Sequence, residues 1–191
     1  AQVTGVDTLT FRYSHTESEF TTGSVPSVSF KTNMATVGWS RIFTPNLSAE
    51  VGGGGILLDH GRTTYAVNTA LIINFVSSRA TISYSRSAFP GFAGVATQLI
   101  GDVVSLSAVQ EISPQWRLTG TANYSHSSGT SGTNSIKFDS YGGSLDLAYF
   151  VTRTWSTAVG YTYARFDREI GASVTQFDRH VVMISLRASW E

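Results

Sequence analysis

The chain has no cysteine, no long apolar run and little charge. Without cysteine there is neither a disulfide framework nor a thiolate metal site, a composition compatible with export unfolded through an oxidising periplasm. The longest apolar runs, such as Ile56-Leu57-Leu58 and Leu71-Ile72-Ile73, fall far below the roughly 18 to 20 residues of a membrane helix, which excludes one. Lys plus Arg and Asp plus Glu each number 13, so no basic surplus is available to gather on a face against phosphate, and nucleic acid is excluded as a partner. A charged start with an apolar h-region is also missing, which leaves either a cytosolic protein or a signal peptide already removed, and Ala1-Gln2 suits a mature terminus behind a cleavage site. Phosphate loops, zinc pairs at helical spacing and nucleophile elbows are absent, and no cofactor is expected. At 191 residues, a single domain over 1–191 is the natural count.

What is present points to strands and turns: 18 Gly, 11 Phe, 8 Tyr and 4 Trp, with abundant Ser and Thr. Large apolar residues alternate with small or polar ones along the whole length, a period of two. Trp116, Leu118, Gly120, Ala122 and Tyr124 share one face, while Arg117, Thr119, Thr121, Asn123 and Ser125 share the other. Segments 155–164 and 179–190 repeat this pattern, and looser versions cover 8–16, 29–42, 46–58, 64–76, 79–88, 102–112 and 138–151, about ten strands in all. Alternation slips between Met34 and Ala35, which leaves open a bulge or an inward Met. Short connections (Thr44-Pro45-Asn46, Ser77-Ser78, Ser113-Pro114-Gln115, Thr152-Arg153-Thr154) alternate with longer ones at about 17–28, 59–63, 89–101, 127–137 and 167–178. An even strand count, with short turns at one end and long loops at the other, predicts an all-β, antiparallel up-and-down barrel of a bacterial outer membrane, its turns and both termini periplasmic.

A soluble sandwich or lipocalin-like barrel also alternates, but it needs a charged exterior. Here the exterior would be Ser, Thr, Gly, Ala and Asn, and charged residues are 14% of the chain, about half what a soluble surface carries. Trp39, Trp116, Trp155 and Trp190 lie beside short-turn ends, and Tyr13, Tyr65, Tyr84, Tyr124, Tyr141 and Tyr163 toward the long-loop end. Two aromatic girdles at opposite ends of the same strands call for a bilayer between them, so outer-membrane lipid and lipopolysaccharide are the expected surroundings.

With these features the chain resembles the small bacterial outer-membrane barrels. Its ending, Val182-x-Ile184-x-Leu186-x-Ala188-x-Trp190, is similar to the C-terminal strand signal read by their assembly machinery, although Glu191 follows the aromatic on which the family usually ends. The last hairpin, Tyr161-Thr-Tyr-Ala-Arg-Phe-Asp-Arg followed by Asp178-Arg-His-Val-Val, is similar to closing hairpins of larger barrels associated with exopolysaccharide export. The resemblance implies a narrow channel or a structural or adhesive surface element. A different class is also open. Omptin-type proteases and lipid A-modifying barrels place His and acidic residues at the outer level, and His15, His60, His126 and His180 fall there with Asp59, Asp167 and Asp178. The chain is much shorter than an omptin and shares no motif with one, and interfacial polar residues of any sort collect at strand ends, so an enzyme is the less favoured reading.

Three further expectations concern the interior and the mouth. Alternation places Arg12, Glu50, Asp146 and Arg187 inside at similar depth, where unpaired charge is costly and a salt-bridged network is expected. Closure is expected to bring the last strand beside the first, and with it His180 toward His15. The apolar segment 89–101 folds over the mouth, contacts a protein partner, receives a hydrophobic ligand, or merely prolongs its strands. The run Gly52-Gly53-Gly54-Gly55 relieves crowding within a strand.

Overall fold

The computed structural model describes residues 7–22, 25–90, 98–131, 134–152 and 154–188. Ten strands run in chain order: β1 (Asp7–Thr22), β2 (Val25–Thr44), β3 (Leu47–Leu57), β4 (Thr63–Asn74), β5 (Ser78–Pro90), β6 (Gln98–Ser113), β7 (Trp116–Ser131), β8 (Asn134–Phe150), β9 (Trp155–Ile170) and β10 (Ser173–Ala188). They form one antiparallel sheet in which each strand pairs with its sequence neighbour. A single turn of 3-10 helix, Asp59–Gly61, joins β3 to β4, with Gly61 at φ 74° where a side chain would be strained.

Two sequence expectations change, and one left open is decided. Most of the long loops are strand: β1 continues to Thr22, β7 to Ser131 and β9 to Ile170, so the hairpins rise well beyond the alternating segments. The register of β2 runs unbroken through Met34↔Ser14 and Ala35↔Tyr13, so Met34 turns inward without a bulge, and the irregularity of β2 sits instead at Ile42/Thr44. Among the described residues no ladder joins β10 to β1, so the sheet is open and His180 is not brought to His15. Both edge strands are correspondingly bare, with Phe11 69%, Val182 71% and Ile184 77% exposed.

The glycine run has a steric reason at two of its positions. A β-carbon on Gly54 would overlap the carbonyl oxygen of Ala35, and one on Gly52 would overlap the Asn68 side chain, whereas nothing lies within 4 Å of one on Gly55. At Gly54 the β2 backbone therefore closes on β3 more tightly than a side chain permits, whereas at Gly52 it is the Asn68 side chain that fills the space.

Candidate functional site: a capped interior

Register assigns each side chain to a face. The row Thr8, Ser40, Glu50, Ala70, Ser83, Ser105, Asn123, Gly142, Ala164, Arg179 crosses all ten strands on the face we call inner. This face is lined mainly by Ser, Thr, Asn, Ala and Gly. The outer face, between Tyr124 and Trp116 on β7 and between Tyr163 and Trp155 on β9, is free of charge and, apart from Thr157, apolar or aromatic.

The sheet curls around its inner face, and the tip of the β5–β6 hairpin leaves the wall. The β4–β5 ladder stops at Val67↔Arg86, although β3 and β4 stay paired up to Leu57↔Thr63. Freed from β4, the tip crosses the interior. Gln98 Nε2 donates to Thr32 Oγ1 at 2.9 Å and to the Lys31 carbonyl at 3.1 Å on β2, and Gln98 Oε1 accepts from the Asp59 amide at 3.2 Å. Both faces of the tip are covered. Ala88 and Ile100, together with Met34 of β2, pack on Ile56, Leu58 and Ala66. On the opposite side Leu99, with Phe89, packs on Ile136, Phe138 and Ile170. Ile56, Leu99 and Ile136 are the largest fully buried side chains among the described residues, so the hydrophobic core of the protein is the seat of this tip. A cavity of about 100 Å³ remains between the tip and β1–β3, where Ser14, Thr16 and Met34 face Ala88 and Gln98. One of about 290 Å³, lined by Phe89, Val103, Phe138 and Phe166, lies toward β7–β9. Of segment 89–101, residues 89–90 and 98–101 thus prolong β5 and β6 and reach across the inner face to β2; residues 91–97 lie outside the described ones.

Arg12, Glu50, Asp146 and Arg187 all lie on the inner face. Arg12 and Glu50 border one small cavity with Thr36 and Asn68, and Asn68 Nδ2 donates to Glu50 at 3.2 Å. The Asp146 carboxylate lies over Gly160, where a β-carbon would overlap it. No ion pair within 4 Å joins any two of the four, so the expected network is not formed in the open sheet. Sequence reasoning did not single out Arg79, Arg117, Arg168 and Arg179, which share this face by register. Arg117 pairs with Glu111 at 3.0 Å and lies over the Phe150 ring.

The histidines point the other way. On the outer face a collar of hydrogen bonds tops the apolar belt, in which Tyr13, Tyr84, Tyr124, Tyr161 and Tyr163 each reach a polar group on the neighbouring strand, while Tyr141 packs against the Tyr124 ring. Tyr13 donates to Asn33, which also contacts His15 at 2.8 Å. The Tyr84 hydroxyl (2.6 Å) and Arg86 Nη1, which donates to both carboxylate oxygens (3.0 and 2.8 Å), converge on Asp102, with Arg86 stacked on Tyr65 at 4.5 Å. Tyr124 and His126 share Asp139, both at 2.8 Å. Tyr163 donates to Asp178, and Tyr161 contacts His180 at 2.8 Å. His15, His126 and His180 therefore serve three separate interstrand contacts, and no group of three or more His, Asp or Glu able to hold a metal exists among the described residues. The side chain of His60 lies outside them.

At the turn end, Trp39 Nε1 donates to Asp7 at 3.1 Å, Trp116 stacks on Tyr149 at 4.7 Å, and Trp155 is exposed on the same face; Trp190 lies outside the described residues. Compared with known proteins, the chain matches no family model and no curated protein.

Proposed function

We propose that the sheet closes on itself as an integral barrel of an outer membrane, with periplasmic termini, and that its interior is a narrow channel capped at the loop end by the β5–β6 tip. The observation that carries this reading is the outer belt. Its eight-residue height on β7 and β9 corresponds to roughly 26 Å along the strand, or about 20 Å across a bilayer at a tilt near 40°. Tryptophans bound it below and the hydrogen-bonded tyrosine collar bounds it above, as interfacial girdles require. Water would penalise so much exposed apolar surface, whereas lipid and lipopolysaccharide accept it.

Lipid also forbids an unpaired strand edge, because backbone N–H and C=O groups then have no partner. The edges of β1 and β10, 16 residues each, satisfy one another. Ten strands about 4.8 Å apart and tilted about 40° return to the first strand displaced by roughly 12 residues. Since the row through Thr8 arrives at Arg179, that displacement brings Phe11 opposite Ala188 and Tyr13 opposite Leu186. It also levels Arg12, Glu50, Asp146 and Arg187 to within roughly 6 Å of one depth, which supports a charged constriction.

The absence of cysteine makes the test clean. In protein folded in lipid, the pair Phe11→Cys with Ala188→Cys crosslinks on oxidation. A register shifted by two residues moves the crosslink to Leu9 or Tyr13 with Ala188. Failure of all three pairs in the folded protein rejects closure.

A further inference from the structure

The inner face and the chain as a whole differ in charge. By register, Arg12, Arg79, Arg117, Arg168, Arg179 and Arg187 lie on the inner face, against only Glu50, Glu111 and Asp146. The chain is neutral, so the outer face and the connections carry the matching excess of carboxylate. Several of these arginines are also uncommitted. Arg117 is taken by Glu111 and Arg168 lies over Phe138 at 5.9 Å, but Arg12, Arg79, Arg179 and Arg187 have no carboxylate within 4 Å among the described residues. The charged residues of the outer face behave differently: Lys31, Arg41, Arg86, Lys137 and Arg165 each have an acidic partner.

We infer that the interior is a path for small anions. This deepens the channel reading and rests on it. Closure strengthens the field, because the displacement of roughly 12 residues sets Arg187 directly opposite Arg12 on the inner face. Glu50, held by Asn68, and Asp146, lying over Gly160, offset these two. Arg79 and Arg179 have no counterpart. Between the tryptophan and tyrosine levels the inner face carries one surplus positive charge, at Arg79, whose field the low-dielectric walls focus on the enclosed water. By register Arg179, opposite Ala164, and Arg168 stand at and above the tyrosine collar and extend that positive field to the loop-end entrance. The serine and threonine hydroxyls between the arginines donate hydrogen bonds to a passing anion, and the narrow bore keeps the anion close to the walls. A mean interior potential of about one kT enriches anions and depletes cations by about e-fold each, a permeability ratio of roughly 7.

The measurement is the reversal potential of the reconstituted full chain in a planar bilayer under a potassium chloride gradient. Wild type is expected to reverse on the chloride side, with a chloride to potassium ratio of roughly 7. Combining Arg12→Gln with Arg187→Gln lowers that ratio several-fold, and Arg79→Gln with Arg179→Gln lowers it separately, which guards against one pair failing to fold. Lys137→Gln, on the outer face in an exposed pair with Glu169, leaves it unchanged. A wild-type ratio at or below one, or a ratio indifferent to both inner pairs, overturns the inference while the channel stands. A folded, crosslinkable barrel that passes no current in any of these forms overturns the channel reading and the anion path with it.

Discussion

If the β5–β6 tip is the cap of the channel, then the contact that seats it sets how often the channel opens, and Leu99→Ala is the sharpest perturbation. Leu99 is fully buried between the tip and the inner surfaces of β8 and β9, against Ile136, Phe138 and Ile170. Truncation removes the transfer free energy of the lost methyl groups and leaves a cavity that a rigid sheet fills poorly, together about 3 kcal/mol. When the tip swings out, the whole side chain meets water in either variant, so nearly all of that loss falls on the closed state. At 1.4 kcal/mol per factor of ten, the open to closed ratio rises roughly a hundredfold. The polar anchor acts in the same direction with a smaller effect: Gln98→Ala removes the bonds to Thr32, Lys31 and Asp59 and raises the ratio about fivefold to tenfold at roughly 1 kcal/mol net. Single-channel recording reads both as longer or more frequent openings with unchanged unit conductance. The converse experiment holds the cap shut. Thr32→Cys with Gln98→Cys, bridged by a short bis-methanethiosulfonate that forms a disulfide with each thiol, silences the channel until the bridge is reduced. If Leu99→Ala lowers the thermal midpoint while open probability stays at the wild-type value, or if the bridged protein conducts normally, the tip is not the gate.

Other outcomes follow from separate parts of the molecule. Asp102→Ala leaves Arg86 half-buried on Tyr65 without its carboxylate and removes the Tyr84 acceptor, so it lowers stability by about 2 kcal/mol in a heat-dependent electrophoretic mobility assay, whereas Glu17→Ala, in an exposed pair with Lys31, changes it by less than about 1. Equal effects would reject the collar as a structural element. Gly54→Ala blocks or markedly slows folding into lipid while Gly55→Ala folds normally, because only the first drives a β-carbon into backbone; comparable folding yields would remove the steric argument. An epitope inserted after Ser131, at the tip of the β7–β8 hairpin, labels intact cells. Labelling that needs prior permeabilisation of the outer membrane reverses the proposed orientation.

Strand number, strand order and the two aromatic levels were all written in the sequence. A period of two fixes which side chains share a face, and short turns force each strand back beside its predecessor, so local chemistry alone dictates a meander. For the same reason Arg12, Glu50, Asp146 and Arg187 were legible as inner residues. Parity does not say which inner charges meet, because contact across a curved sheet depends on curvature and stagger, and neither is a local property of sequence. The histidines illustrate the limit from the other face. Their common level was readable, but only the registers separate His15 onto Asn33, His126 onto Asp139 and His180 onto Tyr161. The segment around Leu99 stood out as too apolar for water, yet its destination was open. The structure decided it by ending the β4–β5 ladder at Val67, which lets the tip bury Leu99 against Ile136 and tie Gln98 to Thr32, partners 37 and 66 residues away in the chain. Burial of that kind is a property of the whole interior, since the pocket exists only after eight other strands have curled around it.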